Sequence, residues 1–213
     1  MAQKESKTRQ PSLELDLFQE GLEPGWRRLR SETVFDHRYL RLEEIEYATP
    51  AHPEGGVHWI VARRKSAIAL APELADGRFL LIRQERMPVE LTLWEFPAGQ
   101  IDEVAQKEDP AVIRATAAKE LEEETGYQLG AEGRLEPLGY FFSSQGFTDE
   151  HVYLFHATGL KKLENVTLGA ESEMIHEAKA FTWAEIGQLI ARNEIRDGNS
   201  LALYARMAAR RAI

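Results

Sequence analysis

The decisive stretch is residues 97–127, PAGQIDEVAQKEDPAVIRATAAKELEEETGY. It opens as the end of a strand, turns at Ala98-Gly99 and crosses a polar, acidic loop. A helix follows. Asp109 suits its N-cap, Pro110 its first position and Gly126 its stop. At roughly 100° per residue, Ile113, Ala117, Glu120 and Glu124 fall on one stripe. Glu123 lies to one side of it, and Glu122 points the opposite way.

A run of glutamates on a helix is ordinarily a solvated face. Here one stripe is apolar in its first half and acidic in its second, so the helix turns the same side toward the protein throughout. Ionised carboxylates that face inward are costly without a partner. Crowded together, they raise one another's pKa. A hard divalent cation offsets both effects, and carboxylate oxygens suit magnesium or manganese. Lys119, four residues before Glu123, is its expected ion-pair partner. Glu122 reads as solvated.

Working outward, residues 78–84 (RFLLIRQ) and 92–96 read as strands, and residues 65–71 as a buried strand ending before a turn at Asp76-Gly77. Further upstream, residues 27–35 and 39–48 contain alternating apolar side chains, and residues 57–62 read as a third strand. They predict a small antiparallel sheet with a turn at Asp36-His37 and a Pro/Gly-rich loop over residues 50–56. Residues 1–12 are polar and read as a tail. Downstream, residues 135–142 and 150–157 are strands joined by SSQGFTD. A polar connection over 158–171 leads to a last strand at 175–181. Thr182 and Glu185 form a capping box for the next helix. Asn199 or Ser200 opens a final helix ending near Arg211. Strands and helices interleave irregularly, which predicts an α/β (α+β) fold with a mixed sheet and helices on both faces.

The chain has 213 residues, enough for one sizeable domain and a smaller N-terminal module. Cysteine is absent, which excludes disulfides and thiolate metal sites and fits a cytoplasmic location. The formal net charge of −9 argues against nucleic acid as a partner. Anionic small molecules remain compatible, through local basic groups or a bridging cation. No apolar run is long enough to span a bilayer, and the N-terminal MAQKESKTRQPSLEL has no apolar core of a secretory signal.

KELEEETGY at residues 119–127 resembles the second half of the Nudix box, R-E-U-x-E-E-x-G-U with U apolar. Gly99 and the acidic loop resemble its first half. RQER at 83–86 and LWEFPAG at 93–99 are similar to the region before the box in ADP-ribose pyrophosphatases, and GFTDE at 146–150 to the loop after it. The likeness runs from Trp26 to the C-terminus. It implies a Nudix α/β/α sandwich at residues 63–213, a tail at 1–12, and an N-terminal antiparallel β module at 13–62 that is exchanged between subunits of a homodimer.

The resemblance also implies chemistry: metal-dependent hydrolysis of the pyrophosphate bond of a nucleoside diphosphate linked to a further moiety. The leading substrate is ADP-ribose, cleaved to AMP and ribose 5-phosphate with Mg2+ or Mn2+. Glu120, Glu124 and the Ala98 carbonyl would ligate metal, and Glu123 would ligate it or orient water. Arg86 and Arg83 would meet phosphate oxygens, the alternative for each being an ion pair at a strand end. Glu95 aligns with a glutamate near the substrate. Glu171 or Glu173 matches the place of the general base. Trp26, Phe35 and Trp59 are candidates for stacking on a nucleobase, against the commoner reading of core packing.

Three features depart from the pattern. Lys119 replaces the usual Arg, keeping charge but losing the fork. The loop before the helix is longer than standard, leaving Glu103 or Glu108 for the first acid of the box. Gln145 stands where these enzymes often have Pro. GDP-mannose, other nucleotide sugars or a dinucleotide are rival substrates, and a non-catalytic Nudix-fold ligand sensor is the rival class.

Overall fold

The computed structural model describes residues 14–19, 21–101, 109–164, 167–169 and 174–212. In chain order the strands are β1 (Arg27–His37), β2 (Leu40–Thr49), β3 (His52–Arg63), β4 (Ala67–Pro72), β5 (Phe79–Arg86), β6 (Leu91–Glu95) and β7 (Ala98–Gln100). Helix α1 (Pro110–Thr125) comes next. Then follow β8 (Tyr127–Phe142), β9 (His151–Lys162), β10 (Ile175–Phe181), α2 (Trp183–Ala191) and α3 (Gly198–Arg211).

The core is organised on β4, AIALAP, buried at every position. It pairs in parallel with β9 and antiparallel with β7, within a four-stranded sheet of order β7-β4-β9-β8. Its side chains alternate between two cores, as strand geometry requires. Ile68 and Leu70 pack with Ile113, Ala117 and Leu121 of α1. Ala67, Ala69 and Ala71 face a second core containing Phe79, Leu81, Phe96, Ile186, Leu203 and Met207. Small side chains on that face let a second sheet, β10-β5-β6, and helices α2 and α3 come close. Each large side chain fully buried this way contributes about 1.5–3 kcal/mol.

The expected mixed α/β layering is therefore present, with the main sheet split in two. The third sheet, β1-β2-β3, is the antiparallel N-terminal block. It is tied to the rest at one end. Thr148 bridges to Ala62, and Arg63 holds both Glu43, at 2.9 Å, and Asp149, at 3.0 Å. All of β1 is exposed.

Several boundaries differ from the sequence expectation. The first hairpin turns at Arg38-Tyr39, not Asp36-His37, and β3 starts at His52 inside the expected loop. Strands β8 and β9 extend together over residues expected to be loop, with Tyr127 opposite Lys162. That ribbon has little apolar alternation to announce it; its cross-strand ladder makes it. Helix α3 begins at Gly198, with Asp197 as its cap. Among residues 14–19, Leu15 and Leu17 pack on the α1-side core, and the Phe18 amide donates to the Tyr153 hydroxyl at 3.1 Å. No described helix is long and apolar enough to cross a membrane.

Candidate active site

Helix α1 is built as its sequence predicts. The Asp109 carboxylate accepts from the Ala111 amide at 2.8 Å, and Gly126 closes the helix in the left-handed conformation at φ 71°. The stripe expected to face inward does so: Ile113, Ala117, Glu120 and Glu124 are buried, the two glutamates at 7% and 0% exposure. Glu122 is exposed. Lys119 Nζ meets Glu123 Oε2 at 2.8 Å, the expected pairing.

The strand end delivers β7 to the acidic half of this stripe. The Ala98 amide donates to Glu124 Oε2 at 2.8 Å. Gly99 lies against Glu120 so closely that a β-carbon there would fall 2.1 Å from the Glu120 carboxyl carbon. The glycine is needed for this approach, whatever its backbone angles.

Beside this pair lies a second charged group. Arg86 Nε and Nη2 fork onto the Glu95 carboxylate at 3.0 and 2.7 Å, and Glu95 is only 1% exposed. Burial opposes the Arg86 charge, but the bond to Glu95 and the fields of Glu95, Glu124 and Asp197 outweigh it and raise its pKa. Asp197 is pushed up to about 6, first by burial and then by the charge of Glu95. Arg86, Glu95 and Asp197 line one cavity of about 600 Å³, walled by Leu91, Leu93 and Phe141. Another, of about 490 Å³, opens beside Gln100, Lys119 and Glu120.

The other sequence candidates fall elsewhere. Arg83 and Arg86 are three residues apart on β5, so strand alternation sends them to opposite faces. Arg83 is half exposed, 3.7 Å from Glu177, and does not join the Arg86–Glu95 pair. Trp26, Phe35 and Trp59 are not core residues; each is about half exposed on the N-terminal sheet. Trp59 Nε1 donates to the Gly146 carbonyl at 2.8 Å, tying that sheet to the GFTDE loop. Glu171 and Glu173, and Glu103 and Glu108, lie outside the described residues. Just before the first two, the Gly169 amide donates to the Glu123 carbonyl at 2.8 Å.

The residues present suit a divalent cation. Two buried carboxylates one helical turn apart offer oxygen donors of the kind a divalent cation takes, with Ala98-Gly99 set against them. Among the described residues, no three acidic or imidazole groups converge into a finished cation site. Sequence reading took Ser200 only as a possible start of the last helix and gave Asp197 no part in the site; their D-x-x-S spacing announces a helix cap but not the contacts made from it.

Comparison with known proteins identifies the family. The NUDIX domain model matches residues 62–204. The chain belongs to the Nudix family. This Nudix chain is 33% identical over 191 residues to an ADP-ribose pyrophosphatase of Mycobacterium tuberculosis, covering 87% of the chain and 84% of the relative. It is 31% identical over 140 residues to an ADP-ribose pyrophosphatase of Bacillus subtilis, covering 66% and 70%. A methanol dehydrogenase activator of Bacillus methanolicus is 30% identical over 173 residues, covering 81% and 87%. A solved structure described as an ADP compounds hydrolase superposes with a TM-score of 0.68 over 90% of this chain and 96% of that one, at 18% identity, a likeness of fold. The Nudix chain is an enzyme of the pyrophosphohydrolase class.

Proposed function

We propose that this Nudix enzyme hydrolyses ADP-ribose to AMP and ribose 5-phosphate, with Mg2+ or Mn2+ held at the C-terminal half of α1. The observation that carries the reading is the buried Glu120–Glu124 stripe set against Ala98-Gly99. Glu120, Glu124 and the Ala98 carbonyl would hold the cation. When bound there, it neutralises pyrophosphate oxygens and acidifies water. The names of the two ADP-ribose pyrophosphatase relatives support the choice of substrate.

The chain's own residues then divide the remaining work. Arg86 is fixed by its fork on Glu95 and keeps Nη1 for a phosphate oxygen. Glu123, steadied by Lys119, orients the attacking water. Glu173, or Glu171 in its place, accepts the proton of that water. The water oxygen bonds to one phosphorus as the bridging P–O bond breaks, giving two monophosphates. Arg83 has no part in this reading. The sheet β1-β2-β3 is the module that pairs two copies into a homodimer. The exposed Leu29, Val34, Phe35, Trp59 and Ile60 support this, and a monomeric mass in light scattering at micromolar concentration would exclude it.

A substrate panel with Mg2+, products identified by mass, tests the function. ADP-ribose is expected to give AMP and ribose 5-phosphate at a higher kcat/KM than GDP-mannose or dinucleotides. Glu120→Gln and Glu124→Gln are each expected to lose most turnover. Wild-type turnover in either variant would refute the metal assignment, and intact kcat in both Glu171→Gln and Glu173→Gln would place the base elsewhere. Absence of turnover on every nucleoside diphosphate derivative would leave the ligand-sensor reading.

A further inference from the structure

The first turn of α3 reaches the strand end that feeds the active site. Ser200 is fully buried, and its hydroxyl accepts the Phe96 amide at 2.7 Å across 104 residues of chain. Asp197 Oδ2 in turn accepts the Ser200 amide at 2.8 Å. The Pro97 carbonyl accepts the Leu70 amide at 2.9 Å, and the Ala98 amide donates to Glu124. Three consecutive residues are thus gripped from three elements: Phe96 from α3, Pro97 from β4 and Ala98 from α1. The α3 grip also adjoins the Arg86–Glu95 pair, because Asp197 lines the same cavity.

Ordinary helix capping does not require this arrangement. The cap of α3 is the Asp197 carboxylate, which accepts the Ser200 amide without the Ser200 hydroxyl. The Ser200 hydroxyl is directed instead at the main chain of the segment between β6 and β7. Removing it leaves the buried Phe96 amide without its acceptor and lets the segment between β6 and β7 shift. The Ala98 carbonyl lies two residues further on, so such a shift moves it relative to Glu120 and Glu124.

We infer that Asp197 and Ser200 are positioning residues, a clamp from α3 that sets where Ala98 stands relative to Glu120 and Glu124. This rests on the reading of Ala98, Glu120 and Glu124 as the cation site. Their action runs through the main chain: Asp197 holds the Ser200 amide, and Ser200 holds the Phe96 amide.

The test is direct Mn2+ binding to the full chain without substrate, read by the electron paramagnetic resonance signal of the free ion, beside thermal unfolding. Ser200→Ala is expected to fold and to weaken Mn2+ binding about 10-fold, the lower range for residues that orient metal ligands. The Mn2+ concentration for half-maximal turnover should rise in parallel, while KM for ADP-ribose at saturating Mn2+ changes little. A folded Ser200→Ala with a lowered Tm but wild-type Mn2+ affinity overturns the clamp, since a merely structural bond would do just that. If Ser200→Ala does not fold, Asp197→Ala decides. It removes the acceptor of the Ser200 amide at the start of α3 and is expected to weaken Mn2+ binding in the same direction; unchanged affinity there overturns the inference. A wild-type chain that binds no Mn2+ would instead overturn the cation site itself.

Discussion

Gly99→Ala isolates the closest approach in the active site. The added methyl carbon would stand 2.1 Å from Glu120 Cδ, 2.2 Å from Oε1 and 2.6 Å from Cγ. An ordinary contact begins near 3.4 Å, so the Glu120 carboxylate must retreat by about 1.3 Å. Its backbone need not move, because the clashing atoms belong to a flexible side chain. Overpacking of this kind costs about 1–3 kcal/mol, and the low end applies where a side chain can swing away. For a chain of this size, about 1 kcal/mol lowers Tm by roughly 2–4 °C. Activity should suffer far more. A displacement of about 1 Å in a positioned group can cost about 100-fold in rate. The assay is kcat/KM for ADP-ribose across a Mg2+ titration, with thermal unfolding on the same preparation. A folded variant with reduced Mg2+ affinity and about 100-fold lower kcat/KM is expected. Wild-type kcat/KM and Mg2+ response in Gly99→Ala would refute the placement of Glu120 at the reaction centre.

Two further perturbations probe the neighbouring charges. Arg86→Ala should destabilise the fold by about 3–5 kcal/mol in urea unfolding, because it strands the buried Glu95 carboxylate. Glu95→Gln should cost less, since the partly exposed Arg86 can reach water; the reverse order would contradict this. Asp197 has a folded-state pKa of about 6 against an ordinary 3.8. Between about pH 4 and pH 6 the folded state holds a proton that the unfolded chain has released, so this group's contribution falls as pH rises through that window, by at most ~3 kcal/mol. Asp197→Asn keeps a capping side chain and should remove that slope from the pH dependence of the urea midpoint; identical slopes in the two proteins would exclude the shift.

Much of the site was legible in the chain because it is local. The helix from Pro110 to Thr125, its Asp109 cap, its Gly126 stop and the inward glutamates follow from a 3.6-residue period and end signals within one element. The Lys119–Glu123 pair is equally local, being one turn of helix. The β8–β9 ribbon was hidden because pairing between distant segments, not apolar alternation, makes it a strand. The candidates from the N-terminal sheet gave no sign in sequence of being half exposed, since burial depends on what packs above a strand.

The sequence by itself determined the acidic stripe, the strand-to-turn approach at Ala98-Gly99 and the family these imply. It could do so because helix geometry translates spacing directly into direction. Tertiary structure alone decided which arginine stands beside the site: β5 pairs with β6 so that Glu95 lies opposite Ile82, and the Arg86 side chain reaches along that face to its carboxylate. It also decided that Gly99 lies against Glu120, and that a serine 104 residues away holds the amide of Phe96. Those contacts join segments far apart in the chain, and only packing brings them within hydrogen-bond reach.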